Sequence, residues 1–329
     1  MTSPTSEKSA SPVLVIIAFT IIYIVWGSTY FFIRIAEGAG VPPFLLGAIR
    51  FTAAGLLLMG WCVIKGEKIF VKKDIINASI TGILLLVVSI GIVLWVEQTL
   101  PSAMVAIVVS AAPIWFVLLD KPNWRINLRS KATIIGLIIG FAGVLLLFSD
   151  QIENIFAGNG AARLPWMLLL VFGSMCWSGG SLFSKHRPGS GSAAVNTAWQ
   201  MFSAGIVYIP ITFIHHEYTG LNLYNIKTDG WLALLYLTVF GSIVAFSAYV
   251  WLLQVRPATQ VSTYAYVNPV IAVFLGTLFA HESISFTQIV GLVVILSSVM
   301  LINLSKYRKE KLIKLSAGTP TENELDLVD

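Results

Sequence analysis

Charge is what this chain has least of. Only 11% of its 329 residues are Asp, Glu, Lys or Arg, against roughly 25% in a soluble globular domain. With 57% hydrophobic residues and a mean hydropathy of +0.83, that shortage excludes a soluble fold. Cysteine is scarce as well. Cys62 and Cys176 both fall inside apolar runs, so no disulfide framework is implied. The four histidines, His186, His215, His216 and His281, lack metal-site spacing, and no Gly-rich phosphate loop occurs. No cofactor is expected, and ATP-driven work would need a separate subunit. The sixteen acids avoid the middle of the apolar runs; Glu97, Asp120 and Glu282 stand at their ends. Proton-coupled pumps usually carry Asp or Glu within their spans. No central carboxylate coupling site is offered here, and facilitated diffusion, exchange and weak proton coupling stay open.

What fills the chain is long apolar sequence. A helix needs about 20 apolar residues to cross a bilayer, and ten such runs occur, at about 13–33, 43–64, 75–96, 102–119, 132–148, 164–184, 194–214, 230–252, 258–280 and 286–304. The expected fold class is therefore an all-α integral membrane protein with ten transmembrane helices. The first run is too long for the apolar part of a signal peptide, and no A-x-A-like site closes it.

Lys and Arg sort by loop. Lys65, Lys68, Lys72 and Lys73 separate runs two and three, while Lys121, Arg125, Arg129 and Lys131 separate four and five. Lys185 and Arg187 follow run six, Arg256 follows run eight, and Lys306, Arg308, Lys309, Lys311 and Lys314 follow run ten. The alternate loops hold only Arg34, Arg163 and Lys227. Positive-inside asymmetry of this kind predicts both termini in the cytoplasm. The net charge of +5 thus reports topology and contact with anionic lipid, not a nucleic-acid partner.

The two halves align with each other. LWVEQTLPSAMVAIVVSAAPIW (94–115) matches VWLLQVRPATQVSTYAYVNPVI (250–271), pairing Trp95 with Trp251, Gln98 with Gln254, Pro101 with Pro257 and Pro113 with Pro269. GLIIGFAGVLLLF from Gly136 matches GLVVILSSVMLIN from Gly291, Trp26 pairs with Trp177, and Arg34 pairs with Lys185. Five runs per half is an odd number, so the second copy must enter the membrane from the opposite side. Inverted five-helix repeats place a substrate site between them near the midplane and suit alternating access. The expected divisions are a tail at 1–12, repeats at 13–148 and 164–304, an external linker at 149–163 and a second cytoplasmic tail at 305–329.

The motifs WGSTYFFIRIA, RFTAAGLLL, EQTLPSAMVAIVVSAAPIW and STYAYVNPVIAVFLGTLFAHE, in this order and twice over, resemble the EamA group of the drug/metabolite transporter superfamily across roughly residues 13–304. The resemblance implies a transporter of the bacterial cytoplasmic membrane, usually an exporter of small metabolites such as amino acids, purines or drugs. Its partners would be a small-molecule substrate and the bilayer, as a monomer or homodimer. No constellation of surface acids or histidines points to an enzyme instead, and a flux-free sensor or scaffold leaves the repeat unexplained. Import rather than export also remains open.

The residues that could line a substrate cavity are Trp26, Ser28, Arg50, Trp177, Gln200, Tyr264 and Asn268. Arg50 is the charge set well inside a run, and burying it costs at least a few kcal/mol. It is either a counter-charge for a carboxylate-bearing substrate, an external gate, or a cross-link satisfying carbonyls and hydroxyls between helices. Trp26 lies too deep for an interfacial belt, so with Trp177 it forms either cavity walls or tight packing. Ser28 can bind substrate or its own helix. Tyr264 and Asn268, spaced i, i+4, share a face, and Pro113 and Pro269 interrupt their helices and free carbonyls. Glu97 either binds a proton or amine at the outer mouth or sits solvated in a turn, the latter being favoured. Arg34 and Lys185 are expected to snorkel, and Gly136-x-x-x-Gly140 to pack its helix within the bundle.

Overall fold

The computed structural model describes residues 11–100, 102–149, 160–187, 189–219, 221, 223–280 and 285–317. Pro101, His281 and Glu282, and most of the expected linker and tails, lie outside them. Among the described residues the protein is all-helical. α1 (Pro12–Gly38), α2 (Pro43–Ile64) and α3 (Lys72–Glu97) lead to a broken pair, α4 (Ser102–Val109) and α5 (Ala112–Leu119), then to the short α6 (Trp124–Asn127) and to α7 (Lys131–Leu147). The second half supplies α8 (Gly160–His186), α9 (Ala193–Ile214), α10 (Thr228–Val255), α11 (Ala258–Val261), α12 (Tyr264–Ala280) and α13 (Phe286–Ala317).

Seven of these, α1, α2, α3, α8, α9, α10 and α13, are long and apolar enough to cross a membrane. The chain from Val105 to Asn127 bends by 70° near Asp120. α7, at 17 residues, falls just short of the usual span length. α13 continues to Ala317, thirteen residues past the end expected at Leu304, so the basic stretch after that point prolongs the last helix.

Local chemistry explains the ends. Pro43 occupies the first turn of α2, where a missing N–H costs nothing. Ser130 and Ser192 cap α7 and α9 by accepting from the amides of Thr133 and Val195, each at 3.3 Å. The α1–α2 turn needs Gly40 at φ +96°, and the chain leaves α2 through Gly66 at φ +74°. α3 and α10 each contain a π-helical stretch at mid-length, Ile83–Ser89 and Leu237–Val244. Such wide turns are rare and concentrate at functional positions.

Packing runs across the halves. The most extensive interface joins α2 to α9, and the next joins α7 to α13. Both depend on small residues. A Cβ on Gly55 would stand 2.6 Å from Phe202 N, and one on Gly205 would collide with Thr52. Gly136, Gly140 and Gly143 meet Ile302, Ser298 and Ile295 in the same way. Without lipid-excluding hydrophobic force between membrane helices, such close approach is the source of their cohesion. α1 packs on α10 and α12, whereas α8 packs on α3 and α5. Large apolar side chains such as Leu57, Trp61, Val293 and Met300 stay exposed on the outside, as a lipid-facing surface requires.

Lys185 departs from its expected role. Its Nζ donates to the carbonyls of Leu253 at 2.5 Å and Arg256 at 2.8 Å, capping the end of α10 instead of reaching outward. The last carbonyls of a helix lack partners and carry negative partial charge, so an ammonium there is well placed. One residue on, His186 Nε2 lies 3.0 Å from Asp120 Oδ1, and Asp120 is buried. The end of α8 is therefore tied both to α10 and to the end of α5. Arg34, by contrast, is exposed as anticipated.

Candidate functional site

Aromatic side chains from four helices meet at the centre of the bundle. Trp26 of α1 contacts Trp177 of α8 edge-on at 5.7 Å, Tyr249 of α10 at 4.9 Å and Tyr264 of α12 at 4.9 Å. Tyr249 and Tyr264 stand perpendicular at 5.6 Å, and Phe246 closes the group against Trp26 and Trp177. Edge-to-face geometry of this kind lets positive ring edges meet negative faces. Tyr249 is held by a 2.6 Å hydrogen bond between its hydroxyl and Ser181 Oγ.

Polar atoms around this centre are incompletely used. The buried Trp177 Nε1–H faces the Tyr249 and Tyr264 hydroxyls without a well-formed hydrogen bond to either, and the Asn268 carbonyl oxygen meets no donor. Buried polar groups are rarely left so. Asn268 lies one turn beyond Tyr264, and Ile271 at the next turn contacts Gly27, so all three look toward α1.

Arg50 is buried beside the cluster. Its Nε donates to Ser242 Oγ at 2.6 Å, and its guanidinium lies 5.1 Å from the Phe51 ring centroid. Gly241, next along the π-helical stretch of α10, accepts from Trp26 Nε1 at 3.1 Å. A Cβ at Gly241 would stand 2.9 Å from an Arg50 terminal nitrogen. Arg50 and Trp26 thus converge on the same two residues of α10, neither of which the sequence motifs had singled out. Their signal was present, since Gly241-Ser242 repeats the small-then-hydroxyl pair of Gly27-Ser28 inside another apolar run.

The remaining sequence candidates fall elsewhere. Ser28 Oγ donates to Val25 O at 2.7 Å and sits 2.8 Å from Tyr236 OH, so it serves its own helix and α10. Gln200 is fully buried, its Nε2 donating to Asn196 Oδ1 at 3.0 Å, and its backbone blocks the space beside Gly82 of α3. Its contacts are with α9 and α3, not with the aromatic rings. Pro113 begins α5 just after the break, and Pro269 sits inside α12. Proline removes the donor to the carbonyl four residues earlier. For Pro269 that carbonyl belongs to Ala265. Ser110 Oγ lies 3.1 Å from it, but the hydroxyl has one proton and its shorter bond, 2.7 Å, runs to Ala106 O of its own helix. The two broken elements therefore meet at Ser110.

Glu97 is the last residue of α3 and is half-buried. It lines a cavity of about 530 Å³ at one end of the bundle with Glu37, Gln98, His215 and Glu217, floored by Phe44 and Leu94. Glu217 holds one wall in place by accepting from the amides of Phe44 at 3.0 Å and Leu45 at 2.7 Å, the free N–H groups that open α2. The chain from Phe44 to Arg50 carries the α2 backbone roughly 9 Å deeper.

The sequence profile of the EamA-like transporter family matches residues 13–149 and 164–304. The chain belongs to this family. It is 38% identical over 290 residues to the uncharacterized inner membrane transporter YedA of Escherichia coli strain K12, covering 87% of this chain and 89% of that protein. It is 25% identical over 293 residues to the protein PecM of Dickeya dadantii, covering 88% and 93%. A WAT1-related chloroplastic protein of Arabidopsis thaliana is 27% identical over 270 residues, covering 79% of this chain and 63% of its own length. One solved crystal structure superposes with a TM-score of 0.75, covering 91% of this chain and 100% of that one, at 18% identity. At that identity the likeness concerns fold. Among the described residues, no group of three or more His, Cys, Asp or Glu side chains could hold a metal ion.

Proposed function

We propose that the protein is a secondary transporter of the bacterial inner membrane that exports small metabolites, amino acids, purines or drug-like compounds, by alternating access. In this reading it has ten spans, α4 with α5 and α11 with α12 each counting as one, arranged as two inverted repeats at 13–148 and 164–304. Both termini lie in the cytoplasm, as the distribution of Lys and Arg favours.

One observation carries the proposal, namely that helix neighbours exchange between the halves. α1 touches α10 and α12, whereas its repeat partner α8 touches α3 and α5; α2 pairs with its own counterpart α9, and α7 with α13. Swapping the halves maps this set of neighbours onto itself. Matched π-helical stretches in α3 and α10 obey the same exchange. Quasi-equivalent halves around a central site can trade conformations, which opens the site to either side in turn.

The asymmetry of the present state fits such a cycle. The positive-inside orientation makes the end with the 530 Å³ cavity external. The opposite end is joined by the Lys185 caps and the His186–Asp120 contact. This is an outward-facing arrangement with its inner end closed. The name of the Escherichia coli relative supports transport and membrane type, and nothing about the site calls for enzymatic chemistry.

The test compares spent medium and extracts of cells producing the wild type with those producing an Arg50→Ala, Tyr264→Ala double variant at equal membrane levels. A compound enriched outside only with the wild type is the expected result. Depletion from the medium would replace export by import, and no difference at all would refute transport.

A further inference from the structure

Arg50 is a buried cation without a counter-ion. It is 6% exposed, and no carboxylate among the described residues stands close enough to act on it; its electrostatic neighbour is the Tyr208 phenol. Its one hydrogen bond leaves from Nε to Ser242, so neither terminal nitrogen has a hydrogen-bond partner. The Tyr208 hydroxyl donates to Leu86 O at 2.7 Å, and Arg50 makes no hydrogen bond to its oxygen. A guanidinium presents five N–H donors in a fixed fork that matches a carboxylate in two parallel bonds. Buried charges are normally paired, and here the fork is anchored at one nitrogen and unused at the other two.

The surroundings favour an acceptor from outside the chain. Trp26 and Arg50 share the Gly241–Ser242 step, and Trp177 packs edge-on against Trp26. The Arg50 fork therefore borders apolar ring surface. We propose that Arg50 is the residue that selects the transported solute, binding its carboxylate through the two terminal nitrogens, while the body of the solute lies against the Trp26, Trp177, Tyr249 and Tyr264 rings. The inference rests on the transporter reading above and assigns its substrate class, an organic carboxylate. Structural use of Arg50 as a helix cross-link accounts for the Ser242 bond but leaves the fork idle.

The experiment uses purified full-length protein in detergent micelles, titrated with acetate, benzoate and phenylacetate, with the matching primary amides, and with benzylamine. Melting temperature and tryptophan fluorescence report binding. At least one carboxylate is expected to stabilise the protein while its amide binds at least tenfold more weakly. Arg50→Gln should weaken that carboxylate at least about thirtyfold, as loss of one member of a buried charge pair does. Arg50→Lys keeps the charge without the fork and should fall between; it decides the matter if the Gln variant does not fold. The proposal is overturned if no carboxylate binds the wild type, if amides or benzylamine bind as well as carboxylates, or if both variants bind carboxylate normally. Flux of a neutral or cationic solute in the cell comparison, with no carboxylate response here, would sink the Arg50 assignment and leave transport standing. Carboxylate binding without flux would do the reverse.

Discussion

Gly241→Ala probes the junction of Arg50 and Trp26 without replacing either. The new Cβ would lie 2.9 Å from an Arg50 terminal nitrogen, 3.3 Å from Thr29 Cγ2 and 3.7 Å from Arg50 Cζ. Contacts below 3.0 Å are not tolerated, but the obstructing atom is the tip of a flexible side chain. The guanidinium should therefore swing away, breaking its 2.6 Å bond to Ser242. A hydrogen bond to a charged group is worth about 1.5–3 kcal/mol, and overpacking adds typically 1–3 kcal/mol. Because the tip can relax, the expected net loss is about 2 kcal/mol. Substrate affinity should fall at least about tenfold, the equivalent of 1.4 kcal/mol. Gly55→Ala is the control. There the Cβ meets Phe202 N at 2.6 Å and Cα at 2.7 Å, backbone that cannot retreat without parting α2 from α9. Thermal denaturation in micelles and solute flux in vesicles separate the two cases. Gly55→Ala should fail to accumulate or melt far lower, while Gly241→Ala folds and transports poorly. Equal destabilisation of both, or normal flux through Gly241→Ala, would refute the reasoning.

Further tests address the two ends and the orientation. Lys185→Met removes two charged hydrogen bonds from the end of α10 and should lower stability by about 2 kcal/mol, read by thermal denaturation. Glu217→Gln weakens the cap on α2; about 1 kcal/mol of stability should be lost, with slower flux because a wall of the 530 Å³ cavity loosens. Cysteines placed at Lys73 and Asp229 report sidedness in intact cells with a membrane-impermeant thiol reagent. In a background with the half-exposed native Cys176 changed to Ser and Cys62 left buried, Asp229→Cys should react and Lys73→Cys should be protected; the opposite pattern overturns the assigned orientation.

Much of the helix plan was legible because it is written locally. The run at 43–64 coincides with α2, those at 75–96 and 194–214 with α3 and α9 to within a few residues, and Pro43 marks its own helix start. The run at 102–119 looked continuous, yet it breaks at Ser110–Ala111, since an apolar stretch reads the same whether straight or kinked. Trp26, Trp177, Tyr264 and Asn268 could be nominated from their odd depth and polarity. Tyr249, Phe246 and Gly241–Ser242 could not, because within their own helix they look like ordinary span residues; only their neighbours give them a role. Glu97 illustrates the same limit. Its place at a run end suggested solvent, and only the approach of Glu37, His215 and Glu217 from α1 and the far end of α9 turns that end into a cavity.

The sequence by itself determined that the chain lives in a membrane, roughly where most of its apolar helices lie, and that its halves are related. These follow from hydropathy and from the need to satisfy every backbone group within a helix, both of which act over a few turns. The tertiary structure alone decided which helices touch, that Ser110 comes within 3.1 Å of the carbonyl freed by Pro269 across 155 residues of chain, and that Arg50 has Ser242 as its hydrogen-bond partner. In a bilayer, apolar faces do not choose partners by hydrophobicity. Steric fit between small residues and the demands of a few buried polar groups make that choice, and both are properties of surfaces brought together, not of any one segment.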